Sequence, residues 1–195
     1  MTLGLSVTTS SATLDPSSPS PFFLIVTVRI LTTPRQDSPI TLATHLNPLG
    51  GIGNRSFDNI VCIHPKTENA KRIEIGPRGW PHYLWDPDNL RDSWDFVTIP
   101  SDGHVEIKHQ VDPAKIADAG LKPGEKYQAS LTDRCLGTRW WAFGSLEELD
   151  GRRFQQWREG APREGEDGNG RFLVGQRPDD LALVIEKGTT EFEVE

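Results

Sequence analysis

Strict alternation of apolar and polar residues opens the chain. In "TLGLSVTT", Leu3, Leu5 and Val7 alternate with Gly4, Ser6 and Thr8. A period of two predicts a strand with one buried and one wet face. "FFLIVTVRIL" repeats the pattern more strongly. Phe22, Leu24, Val26, Val28 and Ile30 make one unbroken apolar face, while the other runs from Phe23 and Ile25 to Thr27 and Arg29. Its β-branched content predicts a central strand. In "ITLATHLNPL", Ile40, Leu42 and Leu46 share a face. "FDNIVCIHP", "KRIEIG", "DFVTIP", "HVEIKHQV", "KYQASLT", "TRWWAFG", "LALVIE" and "EFEVE" supply further short extended segments. In "HVEIKHQV", parity turns Val105, Ile107, His109 and Val111 inward and His104, Glu106, Lys108 and Gln110 outward. In "EFEVE" it turns Phe192 and Val194 inward.

Helical signals are few. In "DPAKIADAG", Asp112 caps, Pro113 fits the first helical position and Gly120 closes the end. "SLEELDGRRFQQW" carries a capping box, Ser145 with Glu148, and predicts a second short helix weakened by Gly151. "SSATLDPSSPSP" reads as a Ser/Pro linker, and the polar, Gly-rich stretch 158–170 as a mobile loop. Seven to nine short strands separated by turn signals predict an all-β chain. The expected fold is an immunoglobulin-like antiparallel β-sandwich, one domain over 1–195, with one or two short helices and long loops.

Charge and composition then exclude some function classes. The chain has 195 residues and a net charge of −7, with no basic cluster, which weighs against nucleic-acid binding. No run of about 18 apolar residues is present, so no membrane partner is expected. The N-terminus lacks both a basic segment and a continuous apolar segment of the secretory kind. The expectation is a cytoplasmic protein with Cys62 and Cys135 reduced, although the two thiols could still meet in space.

One stretch carries a likeness to known proteins. "FVTIPSDGHVEIKHQVDPAKIADAGLKPGEKYQASLT" runs strand, turn, strand, short helix, then a "L-x-P-G-E-x-Y" entry into the next strand. With "FFLIVTVRILTTPRQDSPITLATHLNPL" upstream and "LALVIEKGTTEFEVE" at the end, the layout resembles immunoglobulin-like accessory domains. Among these is the propeptide-type domain that precedes the catalytic part of deuterolysin-like metallopeptidases. With "DRCLGTRWWAFG", the chain is also similar to a group of uncharacterised fungal β-sandwich proteins. The resemblance implies an accessory or peptidase-inhibitor-like module with a protein partner. It implies no catalytic residue, because the His-Glu-x-x-His string that such zinc peptidases need is missing from the sequence.

Catalytic chemistry finds little to build on. None of His45, His64, His82, His104 and His109 is spaced as a helical metal pair. A sandwich can still gather His45, His64, His82 and Cys62 from different strands, which keeps a metal-dependent enzyme as a third reading. "GGIGNR" lacks the Lys-Ser/Thr ending of a phosphate loop. "DPDNLRD" has Leu90 where a calcium loop wants an oxygen ligand. Ser145 is explained by its cap, and Cys135 follows a cation, Arg134, without a placed base. No cofactor is expected.

The aromatic residues remain. "GWPHYLWDPDNLRDSW", residues 79–94, concentrates three tryptophans, and "TRWWAFG" adds Trp140 and Trp141. If extended, these two point to opposite faces, so one must leave the core unless something covers it. One reading makes 79–94 the cover, an Ω-like loop pinned by its tryptophans. The sharper reading is a ligand site of Trp80, Tyr83, Trp85, Asp86, Asp88, Arg139 and Trp141. There Trp85 and Trp141 would stack on a planar or sugar-like ligand, with Asp86, Asp88 and Arg139 supplying hydrogen bonds. The leading function is a non-catalytic interaction module. The alternatives are a small-molecule or carbohydrate binder and an enzyme of unrecognised type.

Overall fold

A computed structural model describes residues 1–44, 47–50, 61–66, 89–111, 117–133, 136–160 and 171–195. Leu46, the expected strand "KRIEIG", residues 112–116 and most of the 158–170 loop lie outside them. The fold is all-β. Thirteen strands, many of them very short, are described.

The first sheet orders β12 (Ala182–Lys187), β1 (Thr2–Thr9), β3 (Phe23–Thr32) and β7 (His104–Gln110). The second orders β2 (Thr13–Leu14), β13 (Thr189–Val194), β8 (Lys126–Leu131) and β5 (Val61–Pro65). Their inner faces meet in one apolar core. Leu3, Leu5, Val7, Leu24, Val26 and Val28 enter it from the first sheet, and Leu14, Ile63, Tyr127, Ala129, Phe192 and Val194 from the second. These are the alternating positions of each strand. Phe192 is stacked on Tyr127 with ring centroids 6.0 Å apart and tilted against Phe22 at 5.2 Å.

The pairing is not wholly antiparallel. β1 runs parallel to β12, and β2 parallel to β13. Both chain ends cross from the first sheet to the second, β1 into β2 and β12 through Gly188 into β13, and they cross side by side. A strand that changes sheets in this way closes a corner of the sandwich. The Ser/Pro stretch thus contains β2, a strand too short for any period to show.

A third sheet orders β6 (Phe96–Ile99), β4 (Ile40–Ala43) and β9 (Trp141–Phe143). All four residues of β4 are buried, so both faces of this sheet are covered. Ile40, Leu42, Ile99 and Trp141 join the main core. On the other face, Ala43 and Ala142 join a second core with Leu90, Trp94, Trp140, Leu149, Phe154 and Leu173. Its outer wall includes β10 (Arg153–Gln155) and β11 (Phe172–Val174), a parallel pair.

The helix expected from Ser145 onward does not form. Its capping box does: Ser145 N donates to Glu148 Oε2 at 2.7 Å and Glu148 N to Ser145 Oγ at 3.1 Å. The turn ends at Gly151, whose φ of +73° suits a residue without Cβ, and the chain then extends into β10. Phe154 enters the second core as a strand residue, and the segment that reads as one helix forms a turn and a strand instead. Downstream of Asp112, residues 117–119 are helical and Gly120 has a φ of +67°, as its end position requires.

Candidate functional site

The two adjacent tryptophans show what the second core is for. Trp141 begins β9 opposite Leu42 and is 3% exposed in the main core. Its Nε1 donates to Arg177 O at 3.0 Å. Trp140, one residue earlier, falls on the opposite face and is fully buried there. It stacks on Phe154 with centroids 4.3 Å apart, meets Phe96 edge-on at 5.3 Å, and donates Nε1 to Gln155 O at 3.0 Å. Both indoles therefore have their apolar area and their N–H satisfied internally.

Part of the cover comes from the tryptophan-rich stretch. Leu90 and Trp94 insert into the second core. Asn89 is buried, and its Oδ1 accepts from Phe154 N at 2.9 Å while its Nδ2 donates to Asp92 Oδ2. Leu90–Asp92 form one 3-10 turn. Arg91 lies over the Phe154 ring and donates to Leu149 O at 2.8 Å and Asp150 Oδ1 at 2.9 Å. Residues 89–94 are thus held to β10 and to the 145–150 turn by several of their side chains.

Of the residues selected from sequence, Trp80, Tyr83, Trp85, Asp86 and Asp88 lie outside the described residues. Arg139 is exposed at the surface, while the Trp141 ring is taken into the core. These two side chains therefore do not share one solvent-facing surface. Comparison with protein-family models, curated proteins and solved structures yields no match.

Two of the histidines have structural partners. His109 is buried on the inner face of β7, as parity predicts, and its Nε2–H donates to Pro48 O at 3.2 Å. His64 Nε2 lies 3.1 Å from Ser130 Oγ. His45 and His82 lie outside the described residues. Among the described residues no group of three His, Cys, Asp or Glu is placed to hold a metal ion, and no helix is long and apolar enough to cross a membrane.

Burial lowers the His109 pKa from its ordinary value, and the bond to Pro48 only partly offsets this. The folded state thus prefers the neutral ring, and the unfolded state takes up a proton first as pH falls. The His109 contribution is fully present above the unfolded value of about 6.5 and is lost as pH falls through the folded pKa. We expect His109→Gln to flatten the fall in urea midpoint between about pH 6.5 and pH 5. An unchanged slope would place the acid sensitivity elsewhere.

A different surface carries no sequence motif of its own. The outer face of the first sheet has a depression of about 480 Å³ lined by Ser6, Thr27, Arg29, His104, Glu106, Glu186 and Lys187. Arg29 crosses β1 to pair bidentately with Glu186, Nε to Oε2 at 2.9 Å and Nη2 to Oε1 at 2.7 Å. Gly4 makes room for it, since a Cβ there would collide with Glu186. The hydrogen bonds from Arg29 hold the Glu186 carboxyl below its usual range and raise the guanidinium in turn. The available sequence signal is the pair of small residues Gly4 and Ser6 on the wet face of a strand, with charged positions on β3, β7 and β12.

Proposed function

We propose that this chain is a non-catalytic, immunoglobulin-like interaction module that binds a protein partner through the 79–94 stretch, with the accessory or peptidase-inhibitor-like character implied by its sequence layout. The supporting observation is the anchoring of residues 89–94. Asn89, Leu90, Arg91 and Trp94 all bind back onto the second core. The stretch is therefore fixed at its C-terminal end, and loops fixed on a rigid sandwich are its usual recognition elements. A cytoplasmic setting belongs to the same reading. The small-ligand reading has one less stacking ring at the surface, because Trp141 is buried.

The test is affinity capture with the intact chain beside a Trp85→Ala, Asp88→Ala variant, both checked for folding by far-UV circular dichroism. A partner retained by the first and depleted at least about tenfold by the second is the expected result, matching the loss of a central aromatic anchor. Equal capture by both would remove the 79–94 stretch from recognition. Quenching of tryptophan emission by a sugar or aromatic ligand, without protein capture, would favour the small-ligand reading.

A further inference from the structure

The outer face of the first sheet has a self-complementary pattern. Strand registers place its residues in rows. One row reads Lys187, Ser6, Thr27, Glu106 across β12, β1, β3 and β7. The next reads Val184, Gly4, Arg29, His104. Each row has a small residue near its middle. In the first, a cation and an anion stand at opposite ends.

We propose that this face takes a second copy of the same chain, stacked sheet to sheet about a two-fold axis parallel to the strands. The axis lies between β1 and β3, so it exchanges β12 with β7 and β1 with β3. Lys187 of each copy then faces Glu106 of the other. Ser6 faces Thr27. Gly4 faces the other copy's Arg29, whose guanidinium stays paired with its own Glu186. A two-fold contact repeats every pair, so one favourable match becomes two. Aligned stacking of this kind is the ordinary way two sheets pack.

Two further observations favour a second copy as the occupant. The chain as a whole carries −7, and two copies repel through most of their surface. This face is nearly balanced, with Arg29, Lys108 and Lys187 against Glu106 and Glu186, so two copies meet here with less repulsion than elsewhere. Leu31 and Val184, exposed at 38% and 37%, also belong to the outward positions of β3 and β12. With about 4.8 Å between strands and about 3.4 Å per residue, four strands of about seven residues offer roughly 450 Å² per copy. That is below the roughly 800 Å² per partner of a stable complex, so the association is weak and concentration-dependent. None of residues 89–94 lines this surface, and the inference does not rest on the partner reading.

The experiment is sedimentation equilibrium of the full chain from about 1 µM to about 1 mM, with dissociation constants measured at low and high salt. A monomer–dimer equilibrium weakened by salt is expected. Lys187→Glu and Glu106→Lys should each weaken it at least about tenfold, because each puts like charges together twice. The double variant, with the charges exchanged, should return to within about threefold of the parent. Both positions are solvent-accessible, and circular dichroism checks that each variant folds. A monomer across the whole range overturns the proposal. So does a dimer whose dissociation constant ignores the single reversals, or one that the double variant fails to restore.

Discussion

Trp140→Ala is expected to lower unfolding stability by about 3–5 kcal/mol, the range for removing a buried aromatic side chain without collapse of its site. The side chain is fully buried, and both its ring and its N–H are engaged. Truncation leaves Phe154 without its stacking partner and Gln155 O without its indole donor. Trp140 O accepts from Ala43 N at 2.9 Å, and β4 is the strand the two cores share. Trp140→Phe keeps most of the area and loses the Nε1 bond, so it should cost less. Urea denaturation followed by far-UV circular dichroism measures both. A loss below about 1 kcal/mol for the alanine variant would show that the second core contributes little to the fold.

The main sandwich is visible in the sequence because its strands are long enough to count. β1, β3 and β7 each hold three or more inward positions, and period two assigns their faces without further information. The second core is not visible in this way. β9, β10 and β11 have three residues each, too few to fix a period. Ser145 and Glu148 do cap a turn, but local capping chemistry fixes only where a turn starts. The path beyond the cap is set by the burial of Phe154 against Trp140 and by the exit at Gly151, and the first of these is a tertiary effect. Parity at Trp140 and Trp141 correctly demands a cover, since neighbouring residues of a strand cannot share a face. It cannot say that Leu149, Phe154 and Leu173 supply it beside Leu90 and Trp94.

The candidate surfaces divide along the same line. The anchors Asn89 and Arg91 attract no notice in sequence, because their partners include backbone groups of residues 146–154, more than fifty positions away. The depression on the first sheet depends on side chains from four strands, brought into rows only by register. The sequence does mark Gly4 as unusual, since glycine weakens a strand interior and signals close approach by another group. It does not name Glu186 as that group.

Gly175→Ala is the second substitution expected to act strongly, and Gly4→Ala is its control. A Cβ on Gly175 would stand 2.5 Å from Trp140 Cδ1 and 2.7 Å from Nε1. The indole cannot retreat, because it is stacked on Phe154. Nor can the backbone shift freely. Gly175 N donates to Gln155 O at 3.0 Å, and Gln176 N to Trp141 O at 2.8 Å. Overpacking of this kind costs about 1–3 kcal/mol, and a rigid aromatic neighbour places Gly175→Ala at the upper end. At Gly4 the Cβ would approach Glu186 Oε2 more closely still, yet a surface carboxylate can swing into water. Only a surface ion pair is disturbed, and exposed pairs contribute little to stability. The effect should therefore follow the rigidity of the neighbour and reverse the order of the two distances. A double-mutant cycle decides it, since combining Gly175→Ala with Trp140→Ala removes the obstacle. The glycine substitution should then cost less than about 0.5 kcal/mol, leaving a coupling of about 1–3 kcal/mol between the two sites. Additive costs would mean that Gly175 is needed for its backbone freedom and not for the space that the Trp140 ring fills.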